Sequence, residues 1–369
     1  MFEEIIKKER DMKLRYEKLI SKKSKHECLI KDCKEKSILS HAISKTTLKH
    51  IAQENHLIYQ KFDRANFNIN DFIEPNNVNM KFETIGINEA STFKGFCKKH
   101  DNNIFEQIDN KNITTLRDVL LQLYRTTCKN YFLNDMVKEA EIEILKKEHY
   151  FNTNFINKQE VNLENIILFL DDLLDDFPNE PFYIKDNEVL FFSPVSNIQP
   201  NLLVMLKKTN IKFPIALESS FALSLNNKYY TSIVIIIPTE NSSIIIVLTH
   251  KDLEKQFTPS FRNNLKILNF VESIMMLDSE FYIDPKEFES WSQEKKDIIK
   301  TDLYFFNERK FMQEYDISIF DNLRKMIISE ENIDIQQYEL KKINYKPIRE
   351  SLKNRFWKLG QFIERIRKL

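Results

Sequence analysis

The chain has 369 residues, of which 42% are hydrophobic and 12% aromatic, and this is enough to bury a sizeable core in one or two packed domains. Its 55 basic and 55 acidic residues cancel, so net charge gives no argument that the whole molecule is a polycation. No stretch reaches the ~20 apolar residues that a membrane span needs, and the first residues lack a secretory signal, so we expect a cytoplasmic protein without a membrane partner.

The first part of the chain predicts a small mixed segment followed by long helices. Its predicted elements are an amphipathic helix over residues 2–21, a short helix capped by Ser44 or Thr46, strands at 56–62 and 80–87, a helix that begins near 96, and a long helix or helix pair over 114–151. The chain then becomes polar and rich in Asn, so we place a soft domain boundary near residue 155.

The second part of the chain, residues 156–369, predicts an α+β domain with an antiparallel sheet. Strands are predicted at 181–185, 189–194, 212–225, 229–238 and 242–250, and the turn between the last two predicts a hairpin. Helical segments are predicted from Asp252 to the basic C-terminus. The acidic residues at 171–176 are expected on the solvent face of a helix, and the terminal helix is expected to pack on its own domain.

Two pairs of candidate metal ligands lie far apart in the N-terminal part of the chain. Cys28 and Cys33 are separated by four residues, and Cys97 and His100 by two. Structural zinc sites take four thiolate or imidazole ligands, commonly as two such pairs, so the pattern predicts one structural zinc ion. His26 is a rival ligand.

Two further residue types bear on the predicted zinc site. Gly86 and Gly95, two of only three glycines, precede Cys97, and we expect a tight turn there that needs a positive φ. Cys128 lies in an apolar helix without a partner, and it is expected to pack as a buried thiol.

The segments CLIKDC, SHAISK and GFCKKHDN, between Cys28 and Asn103, resemble the HNH, or ββα-metal, endonucleases of the zinc-bearing treble-clef kind. They are also similar to segments in a set of bacterial proteins with an STFxGFCxxHD motif. The resemblance implies that residues 1–155 form a treble-clef zinc module with flanking helices.

The same resemblance implies a catalytic site. His41 would be the general base, Asp101 would hold a catalytic Mg²⁺ or Mn²⁺, and Ser40 occupies the position where the family often has Asp or His. The implied activity is hydrolysis of DNA phosphodiester bonds, by analogy in defence against foreign DNA. The nearby cations that we expect to contact phosphate are Lys45, Lys94, Lys98 and Lys99.

A second hypothesis belongs to a different class of function. The zinc module can instead be non-catalytic and bind nucleic acid or a protein partner. In either case the C-terminal domain is expected to regulate, sense or assemble, through a homo-oligomer or a partner protein.

Overall fold

The computed structural model describes residues 27–62, 77–110, 112–145, 159–172, 181–182, 188–193, 201–277 and 279–368. The helix predicted over residues 2–21 and the rival ligand His26 lie outside these ranges, as does most of the strand predicted at 181–185. The architecture is α+β, as the sequence predicts. No described helix combines the length and the apolar character needed to cross a membrane.

The described residues form eleven strands. In chain order these are β1 (Ser40–His41), β2 (His56–Phe62), β3 (Met80–Gly86), β4 (Thr92–Phe93), β5 (Gln159–Val161), β6 (Leu190–Phe192), β7 (Leu202–Thr209), β8 (Ile215–Leu225), β9 (Lys228–Pro238), β10 (Ser243–His250) and β11 (Ser279–Ile283). β1 and β4 form a two-stranded antiparallel sheet. The large sheet is antiparallel in the order β3-β2-β11-β8-β9-β10-β7-β6, and the short β5 pairs with β9 in parallel.

The described residues also form eleven helices. They are α1 (Lys45–Lys49), α2 (Lys98–Asp109), α3 (Leu116–Leu145), α4 (Leu163–Asp172), α5 (Glu254–Phe257), α6 (Asn264–Met275), α7 (Pro285–Ser290), α8 (Gln293–Tyr304), α9 (Asp321–Ile328), α10 (Ile333–Asn344) and α11 (Leu352–Lys368). Ser44, not Thr46, caps α1, since its hydroxyl accepts a hydrogen bond from the amide of Thr47 at 3.2 Å.

The centre of the large sheet is the hydrophobic core. Residues 233–237 of β9 and 244–248 of β10 are almost completely buried, because both faces of these strands are covered. The hairpin predicted between them is confirmed, and the amide of Thr239 closes its turn on the carbonyl of Ser242 at 2.9 Å. The helical prediction after Asp252 is wrong at β11, an apolar strand that pairs with both β8 and β2.

The predicted boundary near residue 155 does not coincide with a break in the sheet. β2 and β3 precede it in sequence, yet β2 pairs with β11 through Tyr59 and Tyr282. One continuous hydrophobic cluster runs from Cys28 to Phe356. Residues on both sides of the predicted boundary therefore share one sheet and one core.

The structure bears on two surface predictions. On α4, Phe169 and Leu170 are buried while Asp171 is exposed, and the side chains of the other acidic residues up to position 176 lie outside the described ones. On α11, Phe356 is buried and its ring lies 5.1 Å from that of Phe305, so one face of the terminal helix packs on its own domain.

Candidate metal centre

The first half of the centre is a tight loop that carries two cysteines. The amide of Cys28 donates to the carbonyl of Glu35 at 2.9 Å, and the amide of Cys33 donates to the carbonyl of Ile30 at 3.1 Å. Asp32, with φ of 63°, provides the left-handed residue that closes the loop, a conformation that Asp tolerates better than most residues. The two sulfur atoms are thereby brought to the same side of the loop.

The second half of the centre is the start of α2. Cys97 is the N-cap residue of α2, with φ of −75° and ψ of 161°, and His100 lies three residues further on in the first turn. Residues three apart in a helix start share one face, so the thiol and the imidazole point the same way.

Backbone hydrogen bonds join the two halves. The amide of Leu29 donates to the carbonyl of Gly95 at 2.8 Å, and the amide of Ile38 donates to the carbonyl of Phe96 at 2.7 Å. The expectation of a positive φ at Gly95 is wrong, because no glycine with a positive φ occurs in the described residues. The position requires glycine because there is no room for a side chain: a Cβ at Gly95 would lie 2.1 Å from the Phe93 ring.

The four predicted ligands converge. Their donor atoms all lie within 4.8 Å of one another. The Nδ1 atom of His100 is 3.3 Å from the sulfur of Cys28 and 3.4 Å from that of Cys97, and the sulfurs of Cys33 and Cys97 are 3.9 Å apart. Tetrahedral zinc places sulfur and nitrogen ligands about 3.5 Å apart and two sulfurs about 3.8 Å apart. The cluster can therefore hold a metal ion, and its donors and distances are consistent with zinc.

The thiols of the cluster differ in acidity. Burial raises the pKa of Cys28 to about 11. Burial also acts on Cys97, but the backbone N–H of His100 and the neighbouring thiols outweigh it, so the pKa of Cys97 is lowered. A thiolate therefore forms more easily at Cys97 than at Cys28, and a bound cation favours thiolates at the coordinating cysteines.

Cys128 does not belong to the cluster. It is 2% exposed in α3, and burial raises its pKa, with the carboxylate of Asp171 adding to the shift. The prediction of a buried, inert thiol agrees with this position.

The predicted base, His41, lies on β1 opposite Thr92. Its Nε2 atom is 2.9 Å from the carbonyl oxygen of Ile87, which can only accept, so Nε2 carries the proton and the neutral ring has its lone pair on Nδ1. Burial lowers the pKa of His41, the nearby Lys45 and Arg125 cations lower it further, and the Ile87 carbonyl opposes this. The neutral form of the ring is therefore favoured.

The strand that carries His41 is fixed by Ser91. Ser91 adopts a φ of 58° just before β4. Its carbonyl accepts from the amide of Ala42 at 2.8 Å and its hydroxyl from the amide of Ile43 at 2.9 Å. The adjacent Ser40 is fully buried, and its hydroxyl has no hydrogen-bond partner among the described residues.

The carboxylate of Asp101 pairs with an arginine, and not with the divalent cation that the resemblance implies. It is 9% exposed, and its carboxylate is 3.2 Å from a guanidinium nitrogen of Arg125 on α3. Arg125 is 1% exposed, also binds Asp109 at 2.5 Å, and lies 4.7 Å from the centre of the Phe105 ring. These contacts fix α2 against α3.

The four predicted phosphate-contacting lysines lie near the ends of β4, α1 and α2. Lys45, Lys98 and Lys99 are exposed, and Lys94 is half-buried.

Sequence reasoning missed a buried polar network behind β4. Lys129 on α3 binds Glu218 on β8 and, at 2.6 Å, Glu280 on β11. The hydroxyl of Tyr282 donates to Glu280 and accepts from the amide of Ser91 at 2.5 Å. A charged residue within an apolar helix or strand, as at Lys129 and Glu218, was the signal that could have found it.

No protein-family model matches the sequence, and no curated protein or solved structure matches the chain. Functional inference therefore depends on the geometry described above.

Proposed function

We propose that Cys28, Cys33, Cys97 and His100 hold one structural zinc ion. Support comes from the donor set of three sulfurs and one imidazole nitrogen, and from distances that fit the edges of a tetrahedron. Four protein ligands complete the coordination of zinc and leave no position for water. The ion would stabilise the module and take no part in a reaction.

The module that the zinc stabilises binds nucleic acid. In this arrangement β1 and β4 pair, α2 follows, and exposed lysines lie at the start of α2 and of α1. Lys98 and Lys99 lie in the first turn of a 12-residue helix, where the helix dipole adds positive potential for a phosphate. Nucleic-acid binding is required by the nuclease hypothesis and is one of the two binding functions, nucleic acid or a protein partner, that the second hypothesis names.

Binding without hydrolysis is the better supported of these two hypotheses, and the ion pair between Asp101 and Arg125 is the observation that carries it. The buried guanidinium of Arg125 occupies one oxygen of the Asp101 carboxylate and would compete with a divalent cation for it. Within the described ranges, the one group of three or more metal-binding side chains is the Cys₃His cluster.

Hydrolysis remains a second candidate because of His41. A neutral imidazole with its lone pair on Nδ1 is suited to act as a general base, and β1 pairs with β4 directly ahead of α2, a ββα arrangement like that of the endonucleases that the sequence resembles. This activity would use Mg²⁺ or Mn²⁺, and the role in defence against foreign DNA is part of the same hypothesis.

A binding experiment tests the first proposal. Purified protein is titrated with duplex DNA at 50 and 200 mM salt, alongside Lys98→Ala/Lys99→Ala and a control with two exposed lysines elsewhere changed, Lys325→Ala/Lys341→Ala. We expect the first variant to bind more weakly and its salt slope to fall by about 2, because each phosphate contact contributes about 0.9. Equal binding by both variants, or no binding by wild type, would contradict the proposal.

A cleavage experiment tests the second candidate. Plasmid is incubated with Mg²⁺ or Mn²⁺ and wild type, His41→Ala or Asp101→Asn. Hydrolysis through His41 requires cutting by wild type that His41→Ala loses. Cutting that survives His41→Ala excludes His41 as the base, and no cutting by wild type excludes hydrolysis of duplex DNA.

A further inference from the structure

The start of α11 has two different faces. Arg355 and Phe356 are 2% and 5% exposed, and they pack towards the 3₁₀ turn at Phe306–Glu308 and its neighbours. The next residue, Trp357, is 65% exposed. The inward face accounts for the packing of α11, but nothing in that packing requires an exposed tryptophan.

Trp357 borders a cavity. The cavity has a volume of about 640 Å³ and lies between the 3₁₀ turn, residues 348–350 and α11. Its wall includes Ile348, which is 99% exposed, and Phe362. A contiguous exposed group of large apolar side chains with a polar rim is typical of a binding site.

The polar groups of this cavity suit a nucleobase. Asn307 and Gln361 bring side-chain amides, which offer both a donor and an acceptor to a base edge. The Oδ1 atom of Asn307 is buried and has no hydrogen-bond partner among the described residues. Arg349 is held in place by Asp316 at 2.6 Å and by Asp302 at 3.0 Å, so the wall is preorganised.

The charge around the cavity suits phosphates. Residues 346–358 include five Lys or Arg residues and one Glu residue, and the cavity wall itself combines Arg349 and Lys358 with the acidic Glu308 and Glu350. Lys353 is exposed, and Lys346 and Lys358 form ion pairs with Glu294 and Glu350 that are largely exposed to solvent. Exposed pairs contribute little free energy, so these lysines can exchange their partners for phosphates.

We propose that a single-stranded nucleic acid binds along α11, with one base stacked on Trp357 in the cavity and its phosphates on Lys346, Lys353 and Lys358. An aromatic platform beside a cationic groove is the common design of single-strand binding sites. This site adds to the function proposed for the metal module and does not depend on it. The run of cations favours a strand over a free nucleotide.

Tryptophan fluorescence tests the proposal on the full chain. The protein has two tryptophans, and Trp291 is 4% exposed, so stacking changes the emission of Trp357 and leaves Trp291 as an internal reference. Wild type is titrated with a 12-nucleotide single strand and, separately, with a mononucleotide of the same base. We expect saturable quenching by the strand, weaker at 200 than at 50 mM salt by roughly 20-fold for three phosphate contacts.

Variants assign the quenching to the cavity. Since Trp357→Ala removes the reporter, strand affinity is also measured with a labelled oligonucleotide, and we expect Trp357→Ala to weaken it about 5- to 150-fold. Tyr338→Ala removes another exposed aromatic side chain, one that does not line the cavity, and should bind as wild type does. Cys97→Ser should leave the quenching intact, which separates this site from the metal module.

Three outcomes would overturn the proposal. One is an absence of quenching by any single strand, as expected if the exposed face docks a protein. Another is equal loss of affinity in Trp357→Ala and Tyr338→Ala. The third is quenching by the mononucleotide at the same affinity as the strand, which would make a free nucleotide the ligand.

Discussion

At the scale of single residues, Gly95 shows how a small side chain shapes the candidate metal centre. Phe93 folds back over Gly95 and contacts the rings of Phe96 and Phe132 at 5.7 and 6.0 Å. Cys97 follows two residues later. The absence of a Cβ therefore allows the aromatic cluster and the ligand-bearing helix to approach each other closely.

The two glycines ahead of Cys97 provide a matched pair of substitutions. Gly95→Ala should destabilise the protein by about 1–3 kcal/mol, because the added methyl overlaps the Phe93 ring. Gly86→Ala should be neutral or slightly stabilising, since nothing lies within 4 Å of the added methyl and φ is not positive. Urea unfolding measures both changes in free energy, and equal effects of the two variants would show that the Phe93 overlap is unimportant.

At the scale of elements, Arg125 joins α2 to α3. Its guanidinium binds Asp101 and Asp109 of α2 from within α3, and it is nearly inaccessible to solvent. The helix that carries Cys97 and His100 is thus positioned by an ion pair that does not include them.

Removing this arginine tests the helix pairing. Arg125→Met should cost about 3–5 kcal/mol of unfolding free energy, because it leaves Asp101 without its cation in a buried site. Asp109→Asn should cost much less, since a third of the Asp109 side chain is exposed. Chemical denaturation of the two variants provides the comparison. A loss below about 1 kcal/mol in Arg125→Met would mean that the ion pair does not hold the helices together.

The contact between α3 and the large sheet carries a pH dependence. Burial raises the pKa of Glu218 to about 7, with Glu280 adding to the shift and Lys129 opposing it. Between its ordinary pKa of 4.5 and 7, the folded state binds more protons than the unfolded state, so stability falls as pH rises.

Glu218→Gln should remove this dependence. From pH 5 to 7.5 the unfolding free energy of wild type should fall relative to that of the variant by an amount on the order of 2 kcal/mol. Thermal or urea unfolding at several pH values measures the two slopes. Parallel slopes would show that Glu218 does not hold the proton.

At the scale of the whole molecule, features that depend on local sequence patterns were predicted, and features that depend on tertiary contacts were missed. The ligand pairs, the caps and the turn before β10 are set by residues close in sequence, and they were predictable. β11 was missed because SEFYI is too short to be distinguished from a helical segment until β8 and β2 pair with it. The Asp101–Arg125 pair joins residues 24 positions apart in different helices, and no local pattern reveals it.

The large sequence separation between His41 and Cys97 is explained by the fold of the whole molecule. β2 and β3 lie within this interval and belong to the large sheet, whereas β1 and β4 on either side of them form the small one. The candidate metal module is therefore attached to the main core by two strands, as well as by the contacts of α3. We expect loss of the metal to loosen residues 27–40 and the start of α2 while the large sheet persists.

The zinc content of the purified protein is the most direct test of the central claim. We expect about one zinc ion per chain in wild type by elemental analysis, a loss of most of it in Cys97→Ser, and full retention in Cys128→Ala, which changes a buried cysteine outside the cluster. Stoichiometric zinc in Cys97→Ser, or wild type without zinc after expression with the metal supplied, would contradict the assignment of Cys28, Cys33, Cys97 and His100 as its ligands.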